Sequence, residues 1–259
     1  MKGLRMCKRM LAAGLLLAIV MFFPGCGGKN QGDVLGLMYH HLVEDPAQAT
    51  AWITTPDELR NNLTDLQALG YRPLSLEDYA AENYDPMGDY FIVTFDDGYL
   101  SNLTLAGPVL EEMGIPAAIF VITGCVGTPE YMTWEDLRTA RDGGVFTLYS
   151  HTHSHKSAPD MTTEEFLADA AVAWDELTTH LGEGEHKILS YPNGAYTKES
   201  MKALRAAGYD MLVIQEKPKW FREKHHGRLL LRVNVPGRGA DMKEIVNYHR
   251  TRCGVRKIQ

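Results

Sequence analysis

The sequence predicts an α/β barrel, a ring of parallel strands enclosed by helices, and three observations carry that prediction. Short apolar runs alternate with amphipathic segments, a glycine follows nearly every helical segment, and the alternation recurs roughly seven or eight times. Glycine just past a helix suits the left-handed position that ends it, and the next apolar run then returns as a strand. Units of this kind cross over right-handed into a parallel sheet, and this many favour closure over an open sheet. With 259 residues and 45% hydrophobic content, the chain suits one large domain with a sizeable core and excludes collagenous or disordered classes.

The chain opens on Lys2, Arg5, Lys8 and Arg9 ahead of an apolar run from Leu11 to Phe23, the order of an export signal. The run is too short to be a comfortable spanning helix. Phe23-Pro24-Gly25-Cys26 resembles a bacterial lipobox, although Phe23 is bulkier than the aliphatic residue usual there. Two readings stand: a cleaved lipoprotein signal over residues 1–25 with Cys26 acylated and 26–33 as a polar tether, or an uncleaved N-terminal anchor. Both place the domain outside the cytoplasm, held at a bacterial membrane. Cleavage removes four positive charges and takes the formal charge from −7 to −11, which argues against nucleic-acid binding. Of the other cysteines, Cys125 reads as a small buried side chain, and an exported location permits a bridge to Cys253 without giving geometric grounds for one.

Val34 to His40 reads as the first strand. Thr55 caps a helix with Pro56 in its first turn, and the helix stops at Gly70. Tyr90 to Phe95 is a β-branched and aromatic run, hence a buried strand. A helix from about Asn102 ends near Gly114, before a strand from Ala117 to Ile122. Thr133 caps a helix that ends near Gly143, before a strand from Val145 to Tyr149. Helices from about Thr162 to Gly182 and from Lys198 to Gly208 precede strands at Ile188–Tyr191 and Met211–Ile214. The domain is expected to span 34–235, with 236–259 forming a surface helix and solvated tail.

Two clusters stand where strands stop. Asp96-Asp97-Gly98 ends the Tyr90–Phe95 run, and His151-Thr152-His153-Ser154-His155 follows the Val145–Tyr149 run. Imidazole nitrogen and carboxylate oxygen are good ligands for Zn²⁺ and similar ions, and three protein ligands leave a position open. A second acid is then free to handle protons. A barrel puts its active site at these strand ends. The i, i+4 spacing favours His151 and His155 pointing together, with His153 away from them or exposed.

These residues resemble a known family. Thr94-Phe95-Asp96-Asp97-Gly98 and Ser150-His151-Thr152-His153-Ser154-His155 are similar to the first two motifs of the polysaccharide deacetylases, the NodB-homology or carbohydrate esterase family 4 enzymes. Ser190-Tyr191-Pro192-Asn193-Gly194 resembles the third. The resemblance implies a distorted (β/α)7, TIM-like barrel of the NodB-homology fold. It implies that Asp97, His151 and His155 hold a divalent metal, most often Zn²⁺ with Co²⁺ or Ni²⁺ as alternatives. It makes Asp96 the general base on the water that the metal activates, and places an oxyanion donor at Asn193, with Pro192 and Tyr191 shaping the substrate site.

Two departures qualify the match. Ser190 stands where many members carry an arginine that orients the base, and no late Leu-x-x-His element follows Gly194; His225, His226 and His249 lack its flanking residues. The poly-N-acetylglucosamine deacetylases instead draw the acid histidine from an N-terminal Tyr-His segment, which Tyr39-His40 resembles. That likeness implies His40 as general acid, in need of a carboxylate partner, and Arg232 in Leu231-Arg232-Val233 as a replacement for the missing arginine. Tyr99, Asn102, Tyr191 and Trp134 are candidates to stack on sugar rings or shape a cleft, with a core role stronger for Trp134. The resulting expectation is a metal-dependent hydrolase that removes N-acetyl groups from an envelope or extracellular polysaccharide. An O-acetyl-glycan esterase with the same site and a catalytically impaired glycan-binding lipoprotein are the alternatives.

Overall fold

The computed structural model describes residues 32–215 and 229–253. The signal, Cys26, Trp220, His225 and His226 lie outside them. In chain order the elements begin with β1 (Val34–Tyr39), a two-residue pair β2 (His41–Leu42) and β3 (Ile53–Thr54), α1 (Pro56–Ala68), β4 (Arg72–Pro73) and α2 (Leu76–Ala80). They continue with β5 (Tyr90–Phe95), α3 (Gly107–Met113), β6 (Ala117–Val121), α4 (Trp134–Asp142), β7 (Phe146–Ser150) and α5 (Thr163–Leu181). The last are β8 (Ile188–Ser190), α6 (Lys198–Ala206), β9 (Met211–Ile214), β10 (Leu229–Asn234) and α7 (Met242–Cys253).

Seven of these strands close a parallel barrel: β5, β6, β7, β8, β9 and β10 pair in sequence, and β1 pairs with both β10 and β5. The expected (β/α)7 barrel is therefore the fold. Every residue of β5 and β6 is buried, because one face looks into the barrel and the other lies under helices. Ile92, Phe120, Tyr149, Ile188, Met211, Val213 and Leu230 pack together, while alternate residues such as Val93, Ile119, Leu189 and Leu212 join clusters with the helices. That period-2 split is what the unbroken apolar runs encode.

The helix starts follow the expected chemistry. Thr55, Thr133, Thr162 and Thr197 each accept a backbone N–H three residues on, and the last three form capping boxes. Several expectations need correction. The segment from Asn102 begins as a π turn over Asn102–Ala106, because Pro108 has no N–H to continue an α-helical ladder from that turn. The left-handed residue after α4 is Gly144 (φ 78°), since Gly143 keeps helical angles. β2, β3, β4 and α2 are too short to carry a legible period. The helix past residue 236 is not a surface appendage: Met242 and Val246 enter the main core, and His249 and Arg250 are buried. Cys125 and Cys253 are both free thiols.

Candidate metal and hydrolase site

The barrel brings the strand-end clusters to one place. β5 stops at Phe95, so Asp96 and Asp97 follow at its C-terminal end, and β7 delivers His151 next to them. His151 Nε2 and His155 Nε2 stand 3.6 and 3.5 Å from the same oxygen, Asp97 Oδ1. Ligand bonds of about 2.0–2.1 Å at tetrahedral angles put ligand atoms about 3.3 Å apart, so both separations from Asp97 Oδ1 are close to those of bound ligands, and all three ligand atoms lie within 4.8 Å of one another. Asp97 Oδ1 is buried without a hydrogen-bond donor, as a ligand atom would be. His151 Nδ1 lies 2.9 Å from the Ser190 carbonyl, which can only accept, so the ring proton sits on Nδ1 and Nε2 offers its lone pair to the centre.

The local backbone is unusual in the same places. Asp97 (φ 76°), Thr152 (φ 68°), His155 (φ 58°) and Asn193 (φ 56°) are left-handed without being glycine, a conformation that costs energy and clusters where geometry is functional.

Asp96 has a different role from its neighbour. Arg232 donates to both its oxygens, Nη1 to Oδ1 at 2.6 Å and Nη2 to Oδ2 at 2.7 Å. The guanidinium also donates to Thr94 Oγ1 at 2.9 Å and Ser190 Oγ at 2.7 Å, and it lies over the Phe120 ring. Gly36 on β1 makes room for it: a Cβ there would meet Arg232 Cγ at 2.9 Å. Ser190 is thus a small acceptor for a guanidinium that arrives from β10, which accounts for the missing arginine of the third motif. Burial pushes the Asp96 carboxyl up, but the charges of Arg232, His151 and His40 and the Arg232 hydrogen bonds overcome it and hold it well below the usual range. For Asp97, burial and the Asp96 charge push the carboxyl up to about 7. Burial lowers His151 to about 4 despite the attraction of Asp96.

His40 follows β1 and faces the same charges. Burial lowers it below the ordinary imidazole value, the Asp96 charge opposes this, and Arg232 and His155 reinforce it. Asp96 is therefore the carboxylate nearest in effect to His40, and the His40 Nδ1 is buried without a partner. Trp52, half-exposed, meets the His40 ring edge-on at 5.2 Å between centroids. Asn193 is exposed in its left-handed turn, its amide donating to Ser157 Oγ, and Pro192 is buried beneath it.

Other sequence candidates fall elsewhere. Tyr191 is fully buried and stacks on Phe166, so its ring belongs to the packing under α5 and cannot face a sugar. Asn102 is also buried, donating to the His40 carbonyl at 2.6 Å, and so braces that histidine's backbone. Trp134 stacks on His180 and packs against the core. Tyr99 does reach the site: it lowers the Asp97 pKa, against the larger effects of burial and Asp96, and stacks on Tyr131. Tyr131 and Trp52 carried no signal that sequence reasoning could use, and Thr94, part of the first motif, was given no role of its own although it accepts from Arg232.

The family model for polysaccharide deacetylase matches residues 84–212. YxkH of Bacillus subtilis (strain 168), named for the polysaccharide deacetylases, is 28% identical over 183 residues, which cover 70% of this chain and 63% of that protein. The poly-beta-1,6-N-acetyl-D-glucosamine N-deacetylase of Escherichia coli (strain K12) is 23% identical over 227 residues, covering 70% of this chain and 34% of the relative. The chain thus spans less than two thirds of either relative's length. Among solved structures, IcaB from Ammonifex degensii superposes with a TM-score of 0.67 at 26% identity, covering 79% of this chain and 93% of that one. The Streptococcus pyogenes deacetylase PplD, at 21% identity and a TM-score of 0.68, covers 81% of this chain and 94% of its own and shares the fold.

Proposed function

Since the chain belongs to the polysaccharide deacetylase family, we propose that it hydrolyses N-acetyl groups from a β-linked N-acetylglucosamine polymer, releasing acetate and leaving the sugar a free amine. The observation that carries this reading is the buried Asp96–Arg232 fork set beside the Asp97, His151 and His155 trio. A divalent ion held by those three residues would supply Lewis-acid activation of water and of the acetamide carbonyl.

The chain's own residues do the rest. Asp96, ionised and aimed by Arg232, accepts the proton of the attacking water. The Asn193 backbone N–H donates to the oxygen that becomes negative as the carbonyl carbon turns tetrahedral. His40 gives a proton to the leaving nitrogen and must hold that proton beforehand; burial lowers its pKa and the charge of Asp96 opposes this, so the protonated form depends on that carboxylate. Arg232 at Ser190 also removes the main reason to read the site as impaired. The domain is proposed to act in the bacterial envelope, tethered through Cys26 or an uncleaved anchor; among the described residues no helix is long and apolar enough to cross a membrane.

The test is acetate release by the soluble domain from defined N-acetylglucosamine oligomers, β-1,6- and β-1,4-linked, and from O-acetylated glycans. Measurements follow chelation and again follow restoration of Zn²⁺, Co²⁺ or Ni²⁺. Release from the N-acetyl oligomers that is lost with metal and regained with it is expected. Release from O-acetyl substrates alone would instead make the protein an esterase.

A further inference from the structure

The segment 151–155 must aim two histidines at one point, yet it has two left-handed non-glycine residues, Thr152 and His155. Each of its five backbone N–H groups is held. Those of His151, Thr152 and His155 go to the Val121 carbonyl, Ser150 Oγ and Thr152 Oγ1, at 2.9, 3.2 and 3.2 Å. The remaining two go to one carboxylate on α5: His153 N–H to Asp169 Oδ2 at 3.2 Å, and Ser154 N–H to both Asp169 oxygens at 3.2 Å. Two helical turns further along, Glu176 Oε2 lies 3.0 Å from His153 Nδ1, which also lies 3.1 Å from Thr123 Oγ1. Residues seven apart share a helix face, so α5 presents both carboxylates to this one segment. The carbonyls of Thr152 and His153 in turn accept the N–H groups of Thr123 and Gly124, which follow β6. At Gly124 a Cβ would strike the His153 carbonyl at 2.6 Å, so the two loops are in direct contact.

We infer that Asp169 is a positioning residue for His151 and His155: its carboxylate fixes the turn between them, so that both imidazoles are aimed before any ion arrives. Charged acceptors make the stronger hydrogen bonds, and a single acceptor for two successive N–H groups sets the curvature of the chain there. His153 is consequently turned outward onto Glu176, which explains how three histidines in five residues yield two that converge. This rests on the reading that Asp97, His151 and His155 hold a metal.

The experiment compares Asp169→Ala, Asp169→Asn and Glu176→Gln with the parent protein. Zn²⁺ affinity is measured by chelator competition, kcat at saturating Zn²⁺, and amide hydrogen exchange at 153 and 154 in the metal-free protein. Loss of an outer partner of this kind typically weakens metal binding by about 10–100-fold. That loss is expected for Asp169→Ala, a smaller one for Asp169→Asn, which keeps one acceptor oxygen, and the least for Glu176→Gln. Exchange at 153 and 154 should rise, and activity lost at limiting Zn²⁺ should recover in large part as Zn²⁺ is raised to saturation. A folded Asp169→Ala with unchanged Zn²⁺ affinity overturns the inference, and Asp169→Asn serves the same purpose should the alanine variant not fold. A parent protein that binds no divalent ion overturns the metal reading itself, a result distinct from unchanged affinity in the variants.

Discussion

β1 and β5 each carry an ionisable residue at both ends, and the two ends differ in how those residues are met. Before the strands stand Asp33 and Asp89; after them stand His40 and Asp96. At the first end the acids are matched with bases. Asp33 accepts from Tyr71 at 2.6 Å, lies 3.2 Å from His249 Nε2 and 3.4 Å from Arg250 Nε, and Arg250 reaches Asp89 at 2.7 Å. Burial pushes the Asp33 carboxyl up, but His249, Tyr71 and Arg250 together bring it below its usual value. At the other end Asp96 has its arginine, while Asp97 has another carboxylate for a neighbour and an oxygen with no donor. Identical residue types thus close the barrel at one end and hold unspent ligand capacity at the other. A fold can afford the second because the first, like the core, supplies stability without it.

The sharpest way to break this comparison is one substitution at each end. Asp96→Asn should lower turnover by about 10²–10⁴-fold, the range for general acid–base catalysis, with bound metal retained. Asp33→Asn leaves His249 buried without its carboxylate and takes one of two carboxylates from Arg250, which keeps Asp89, and should cost about 3–5 kcal/mol of folding stability, with turnover per folded molecule unchanged. Urea unfolding and kcat on both variants decide the matter: a turnover loss in Asp33→Asn, or near-normal acetate release by Asp96→Asn, would remove the division of labour.

Within the site end, His40→Ala separates proton donation from metal holding. It should depress kcat by about 10²-fold with little change in metal content, since in the proposed mechanism His40 is a proton donor and no ligand. Metal loss on this substitution would place His40 among the ligands instead.

The difference between the ends also explains what the sequence disclosed. Asp96-Asp97-Gly98 and His151 to His155 were legible because a residue set able to hold a metal restricts residue type and spacing, and the barrel strands because burial on both faces leaves unbroken apolar runs. Arg232 could be suggested but not secured, since its partners Thr94, Asp96 and Ser190 lie on other strands and meet it only through the closed ring. Asp33, expected in the polar tether, is instead buried against Tyr71 and His249, and those two gave no signal: a stabilising cluster tolerates any geometry that balances charge, so it imposes no motif. Tyr191 misled for the opposite reason, as its place in a motif concealed a ring that packs under α5.

The smallest effect concerns pH at the stabilising end. Burial lowers His249, but its hydrogen bond and charge contact with Asp33, with Cys253 beside it, raise it to about 9. The groups facing it are Asp33, Cys253 and, through Asp33, Tyr71, Arg250 and Asp89. A raised pKa means the folded protein holds the proton more tightly than the unfolded chain, so the contribution is complete below about pH 6.5 and is lost as pH rises through about 9. On the order of 1–3 kcal/mol should disappear across that window. His249→Gln places a neutral donor in the same position and should flatten the parent's alkaline decline, measured as urea midpoints from pH 6 to 10, while kcat at pH 7 stays unchanged. Parallel stability curves for the two proteins would show that the Asp33–His249 pair is not held by charge, and the contrast between the two ends would then rest on Arg250 alone.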